Sequence, residues 1–232
     1  MAEAITVDLW LWQVRVPPHE TARFHAVLSD DERARAARFL APGHGAAYTC
    51  GRGRMREILG GYLGLAPQRV PLAAAAHGKP YLAGVAQAPE FNLSHTGDWA
   101  ALAVTARHPL GIDIETIRPL QDGMVQRYFA PAEVAAIADL PPPERHAAFF
   151  RCWTCKEAFV KATGAGLGLP LASFVVSVEA DRPAAVLAID GRSSADVAGW
   201  RLLPLEPAPG MAGAVAIDAG AADAVVRLQR RE

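Results

Sequence analysis

One order of elements occurs twice in this chain, and it narrows the folds open to it more than any single motif does. Ser29 followed by Glu32 has the spacing of a capping box, with Ser29 as N-cap and Glu32 at N3, opening a short helix that runs to Leu40. Pro42-Gly43 breaks it, and a longer helix over Ala46 to Tyr62 follows, striped with Tyr48, Met55, Leu59 and Tyr62 or Leu63. Gly64 ends that helix and strands come next. Downstream, Phe129-Ala130-Pro131 echoes Phe39-Leu40-Ala41-Pro42, and a helix with Glu133 near its start follows. Pro141 to Pro143 break that helix, a long helix carries Trp153 and Lys161, and Gly164-Ala165-Gly166 terminates it before a strand over Leu171 to Val178. Helix, break, longer helix, glycine, strands: the repetition predicts an α+β chain of two similar α/β halves, 1–109 and 110–232. Identities between the halves are few, so the reading rests on the order of elements.

The other strands fit that plan. Ile5 to Trp12 alternates and stops at the turn Pro17-Pro18. His77 to Leu82 reads as a turn opening into a strand, with Pro80 forcing Lys79 into an extended backbone that holds its side chain outward. Phe91 to His95 and Trp99 to Thr105 form a hairpin around Thr96-Gly97-Asp98, and Gly111 to Glu115 is the next strand. Val186–Ile189, Trp200–Leu205 and Ala212–Ile217 are expected to be edge strands of the second sheet, and the tail from Val225 carries no recognisable chemistry.

With 232 residues, 51% of them hydrophobic, the chain is long and apolar enough to build a substantial core without covalent staples. A formal net charge of -1 excludes a surface coated in positive charge for nucleic acid. Three cysteines make no disulfide framework, the start Met1-Ala2-Glu3-Ala4 has no basic, apolar leader, and no stretch reaches the roughly 20 apolar residues of a bilayer span. The expectation is a cytoplasmic protein with no membrane and no nucleic-acid partner.

Chemistry concentrates in two stretches. A strand over Gly111 to Glu115 sends Ile112 and Ile114 to one face and Asp113 and Glu115 to the other. A helix over Phe150 to Thr163 puts Trp153, Glu157 and Lys161 on one stripe at i, i+4 and i+8. Taken singly, an Asp-x-Glu is two solvated carboxylates, and Glu157 beside Lys156 and Lys161 is a surface ion-pair series. Taken together, three acids and a lysine converge in the way that holds a divalent cation against a phosphate. Cys152 and Cys155 resemble a redox or zinc pair, but they sit inside a helix and have no further ligand pair, so they read as small buried residues. Ser94-His95 lacks the Gly-x-Ser-x-Gly elbow of a hydrolase. The arginines at 33, 35, 38, 52, 54 and 56 are by default two solvated helix faces.

Several blocks taken in order carry a family resemblance: Gly78-Lys79-Pro80, Phe91 to His95, Gly111 to Glu115, Phe129 to Glu133, and Trp153 to Lys161 with Gly164 to Leu167. This set resembles the phosphopantetheinyl transferases, in particular the longer, pseudo-dimeric type that activates carrier domains of peptide and polyketide synthetases. The resemblance implies two halves in a pseudo-two-fold arrangement with the active site in the cleft between them. It implies transfer of 4'-phosphopantetheine from coenzyme A to a serine of an apo acyl or peptidyl carrier protein, releasing adenosine 3',5'-bisphosphate. Carried over by position, Asp113, Glu115 and Glu157 resemble ligands of Mg2+, with Mn2+ an alternative. Lys161 and His95 resemble pyrophosphate contacts with Ser94 in the same corner, Lys79 and Pro80 the turn against the nucleotide, and Glu133 an acid between the halves. Glu157 and Glu115 are the candidate bases, with Lys161 and His95 completing the catalytic set.

One departure concerns the 3'-phosphate. Many relatives have an arginine just before the aromatic of the second helix, where this chain has Ala47 before Tyr48; Arg35, Arg52 and Arg56 are the substitutes. Two rivals stand beside the transferase: another Mg2+-dependent nucleotide phosphoryl-transfer enzyme, and a non-catalytic homologue that only binds carrier domains. Because one chain already supplies both halves, a monomer is expected.

Overall fold

The computed structural model describes residues 4–75, 78–190 and 193–230, so His77 and the extreme ends of the chain lie outside the described residues. The first half comprises β1 (Ile5–Gln13), α1 (Pro18–Val27), α2 (Asp30–Ala37), α3 (Pro42–Leu63), β2 (Leu72–Ala74), β3 (Pro80–Leu82), β4 (Glu90–Thr96) and β5 (Trp99–Thr105). The second comprises β6 (Leu110–Thr116), α4 (Met124–Tyr128), α5 (Pro131–Asp139), α6 (Pro142–Thr163), β7 (Phe174–Val176), β8 (Val186–Ile189), β9 (Trp200–Leu205), β10 (Met211–Asp218) and β11 (Ala224–Arg230). Strand order β1-β5-β4 in one sheet is matched by β6-β10-β9 in the other, every one of these neighbours antiparallel. α3 and α6 are each 22 residues long, each starts on a proline and each ends at a glycine in the left-handed region, Gly64 with φ 65° and Gly164 with φ 70°. The α+β fold of two similar halves is therefore present as repeated topology.

Alternation explains the layers. On β1 and β5, Val7, Leu9, Leu11, Ala101 and Ala103 pack against Ile112, Ile114, Val215 and Ile217 of β6 and β10, forming a core between the two sheets. The opposite faces carry helices: Trp12, Leu102 and Val104 meet Met55 and Leu59 of α3, and Ala214 and Ala216 lie in one cluster with Phe159 and Cys155 of α6. Asp113, Glu115 and Gly111 thus point to the α6 side of β6. A Cβ at Gly111 would stand 2.1 Å from the Ala158 carbonyl oxygen, so only glycine lets this strand lie directly on α6.

Each half also buries one ion pair of the same design. In the first, Glu32 at N3 of α2 accepts from Arg56 Nε (2.6 Å), whose Nη1 donates to the carbonyls of Pro67 and Val70 (3.1 Å each). In the second, Glu133 at N3 of α5 pairs with Lys156 Nζ (2.8 Å), and that ammonium also donates to the carbonyls of Leu171 and Phe174. An acid opening a short helix, a base on the long helix and two carbonyls beyond it lock each long helix to its own half.

Four expectations change. The breaks at Pro42 and at Pro141 to Pro143 are present, with α2 ending at Ala37 and α5 at Asp139, but the long helices begin on Pro42 and Pro142, ahead of Ala46 and Phe150, since proline's missing N–H is harmless in a first turn. α1 occupies what reads as a turn after Pro17. β8 pairs with β7 in a separate two-stranded sheet, and β10 is the centre of its sheet, not an edge. β11, in the tail of the stretch 110–232 assigned to the second half, pairs parallel with β1 of the first. Alternation fixes which residues face a core but not which strand lies alongside, and a parallel partner from the far end of the chain leaves no local signal.

Candidate active site

The two sheets meet where β4 runs beside β6, and side chains do the joining. Asn92 Oδ1, Ser94 Oγ and Thr96 Oγ1 accept the backbone N–H groups of Ile112, Ile114 and Thr116 at 2.9, 3.3 and 3.3 Å, each across a separation of 20 residues. Period two places the three acceptors on one face of β4, and the same period brings β6 donors opposite them. The two hydroxyls also donate: Ser94 to Asp113 Oδ1 (3.0 Å) and Thr96 to Glu115 Oε2 (3.0 Å).

α6 covers this ladder. Lys161 Nζ lies 2.6 Å from Asp113 Oδ1 and 3.1 Å from Ser94 Oγ. Burial raises the Asp113 carboxyl above its ordinary range, against the pull of Lys161 and Ser94, and Asp113 Oδ2 is buried with no hydrogen-bond partner among the described residues. Glu157 is also raised, first by burial and then by the charges of Asp113 and Glu115, with Lys161 opposing. The structure thus brings together Asp113, Glu115, Glu157, Lys161 and Ser94, with carboxylates close enough to repel. An orphaned buried oxygen and three mutually repelling acids fit a divalent cation, although the described residues hold no three carboxylate, imidazole or thiol groups already at ligand distance.

A cleft of about 780 Å³ opens beside these groups, walled by Glu157, Lys161 and Trp153 of α6, Lys79 and Pro80 at the start of β3, Asn92, and the Gly164 to Ala172 loop. Lys79 is turned inward, not outward: its ammonium donates to the carbonyls of Lys161 (2.9 Å) and Leu110 (3.1 Å). It therefore ties the first half to the end of α6, satisfying a carbonyl that the helix leaves open. Trp153 stacks on Phe149 (centroids 5.7 Å apart) and meets Tyr128 edge-on (5.2 Å), so its main work is packing along the cleft wall.

Other candidates stand apart. His95 is exposed and, by alternation, on the face of β4 opposite Ser94 and Thr96; it does not line the cleft. Arg56 is corrected to a structural role: it is 3% exposed, its Nε and Nη1 are engaged by Glu32 and two carbonyls, and it is not part of the cleft wall. Arg52 gives its Nε to Glu32 (2.7 Å), and the Arg35 guanidinium lies over the Tyr48 ring (5.4 Å); neither is part of the cleft wall. Glu133 is buried inside the second half, paired with Lys156, and is not an acid presented between halves. Cys152 and Cys155 are buried free thiols, Cys155 pushed up to about 12 by burial, as the packing reading requires.

Sequence reasoning missed Asn92, Thr96, Arg118 and Arg127. Arg118 Nη1 is 3.2 Å from Glu115 Oε2, and Arg127 stands over Tyr128 in the cleft wall. The alternation Asn92, Ser94, Thr96 was visible as a polar face on an otherwise apolar hairpin, and its match to the alternation of Asp113 and Glu115 was the available signal.

Comparison with known proteins gives the family. A family model described as 4'-phosphopantetheinyl transferase superfamily matches residues 109–212, and one described as 4'-phosphopantetheinyl transferase, N-terminal, matches residues 12–107. The 4'-phosphopantetheinyl transferase HetI of Nostoc sp. is 37% identical over 215 residues, covering 91% of this chain and 87% of that protein. A Bacillus subtilis 4'-phosphopantetheinyl transferase is 31% identical over 172 residues (74% and 76% of the two chains), and Sfp of Bacillus subtilis is 28% identical over 185 residues (80% and 82%). With both halves matched and relatives aligned along most of their length, the chain belongs to the 4'-phosphopantetheinyl transferase superfamily.

Proposed function

We propose that this enzyme transfers 4'-phosphopantetheine from coenzyme A to a serine of an apo acyl or peptidyl carrier protein, releasing adenosine 3',5'-bisphosphate and using Mg2+ or Mn2+. The observation that carries the reading is the convergence of Asp113, Glu115, Glu157 and Lys161 at the side of a cleft of about 780 Å³. The relatives' shared name, 4'-phosphopantetheinyl transferase, supports the reaction class.

Asp113 Oδ2, Glu157 and the oxygen of Glu115 left free by Thr96 would hold the cation. When bound, it neutralises charge on the pyrophosphate of coenzyme A. Lys161, fixed by Asp113 and Ser94, places a second positive charge where the leaving phosphate develops negative charge. Glu157 or Glu115 is the candidate base that takes up the proton of the carrier serine. The serine oxygen then bonds to the phosphorus bearing the pantetheine arm, and the bond from that phosphorus to the bridging oxygen breaks. Lys79 and Pro80 form the wall against which the nucleotide end would lie. One chain provides both halves, so a cytoplasmic monomer acting on carrier proteins is the form proposed. No helix among the described residues is long and apolar enough to cross a membrane.

Incubation of the protein with coenzyme A, Mg2+ and a panel of apo carrier domains tests this directly. Mass spectrometry should show addition of one phosphopantetheine group to the carrier serine. Absence of an adduct on every peptidyl and acyl carrier tried, or hydrolysis of coenzyme A with no carrier present, overturns the reading.

A further inference from the structure

We infer that Thr96 is a positioning residue for the Glu115 carboxylate, fixing one of its oxygens so that the other is presented to a divalent cation; this rests on the function proposed above. Thr96 is 7% exposed at the end of β4, and its hydroxyl has two partners: it accepts the Thr116 N–H (3.3 Å) and donates to Glu115 Oε2 (3.0 Å). With one lone pair engaged by the backbone, the hydroxyl hydrogen is directed at Glu115 Oε2, the acceptor it reaches at 3.0 Å. Arg118 Nη1 approaches the same oxygen at 3.2 Å, so Oε2 carries two donors while Oε1 takes part in neither contact.

The neighbouring rung shows the same division. Ser94 accepts the Ile114 N–H and donates to Asp113 Oδ1, which also receives Lys161, while Asp113 Oδ2 is buried and unpartnered among the described residues. Two hydroxyls two residues apart on β4 therefore grip two acids two residues apart on β6, both across a separation of 19 residues, and each grip takes one oxygen and leaves one. A threonine used only to join the strands would need its acceptor alone. The donated hydrogen bond adds nothing to the backbone contact and acts on the carboxylate. Outer-shell hydrogen bonds of this kind restrict a ligand's rotation and tune its basicity, and their loss typically weakens metal binding by about 10–100-fold.

The test measures cation binding as well as turnover. Mn2+ is titrated into the full-length chain in the presence of coenzyme A, and free Mn2+ is followed by its electron paramagnetic resonance signal. Thr96→Val should weaken Mn2+ about 10-fold or more, and Thr96→Ser, which keeps the hydroxyl, should recover most of that loss. Thermal melts check that both variants fold; if valine prevents folding, Thr96→Ala carries the same expectation. Wild-type affinity in folded Thr96→Val or Thr96→Ala, or equal weakening in Thr96→Ser, overturns the inference. A wild-type chain that neither binds Mn2+ nor modifies a carrier would instead overturn the proposed function.

Discussion

The two halves share a frame and differ in what they mount on it. Asp8 on β1 faces the last turn of α3 much as Asp113 on β6 faces the last turn of α6, but their partners differ. Asp8 Oδ2 receives the phenol of Tyr62 (2.7 Å), and burial with Asp8 itself pushes that phenol up to about 12, so the donor is neutral. Asp113 receives an ammonium. Glu57 of α3 is engaged by Arg23 and Arg54, whereas Glu157 of α6 makes no ion pair among the described residues and is raised by its acidic neighbours. The open edges differ as well: β6 is joined to the other sheet through side chains beside a cleft, while β1 is covered by β11 through regular parallel pairing. The first half has a phenol, paired acids and a closed edge, which together make a stable element. The second keeps repelling carboxylates, an ammonium and an edge bridged by side chains, which is the costlier arrangement.

The largest expected contrast is between the two aspartates. Asp113→Ala should reduce carrier modification by at least about 100-fold, since a candidate ligand should matter no less than the groups that orient it. Asp8→Asn should leave the rate within about twofold. Circular dichroism checks both folds. If the two variants lose activity equally, the second half does not hold the chemistry alone; if Asp113→Ala is fully active, Asp113 leaves the proposed cation site.

The next contrast concerns the buried pairs. Glu133 and Lys156 have side chains with 0% exposure and one another as ionic partners, so Lys156→Met strands a buried carboxylate and should cost about 3–5 kcal/mol of stability. In the first half Glu32 keeps Arg52 when Arg56 is lost, so Arg56→Met should cost less, about 1–3 kcal/mol, chiefly through the unsatisfied carbonyls of Pro67 and Val70. Urea denaturation of both variants decides it, and equal losses would mean that Arg52 does not compensate.

Much of this was legible in the chain, for identifiable reasons. The period-two split of Ile112 and Ile114 from Asp113 and Glu115 follows from strand geometry alone, and the capping box at Ser29 and Glu32 is a local hydrogen-bond pattern; both appear in the structure. What stayed hidden depended on distance along the sequence. Nothing near Arg56 reveals that Glu32 and two carbonyls surround it, so an arginine on a helix looked available for a phosphate. Nothing near Lys79 reveals the end of α6, and the alternation of β11 does not name β1 as its neighbour. Acids and lysines at fixed spacing disclose chemistry, while the partners that decide whether a charge is free arrive from elsewhere in the fold.

The smallest expected effect is the pH dependence of the Glu32 cluster. Burial alone would raise the Glu32 carboxyl, but Arg56, the Ser29 N–H and Arg52 outweigh it and hold it below its ordinary value of 4.5. A carboxylate whose folded pKa lies below its unfolded one binds fewer protons in the folded state, so its contribution is complete above about pH 4.5 and is lost as pH falls through the folded value. Glu32→Gln has no such proton to gain. The gap in Tm between wild type and Glu32→Gln should therefore be constant from pH 7 to about pH 5 and narrow below it, by on the order of 2–4 °C for each kcal/mol of linkage in a chain of this size. Melting curves taken from pH 7 down to pH 3.5 give the answer. A gap that does not change with pH would mean that Glu32 holds its arginines through hydrogen-bond geometry, with no contribution from its charge.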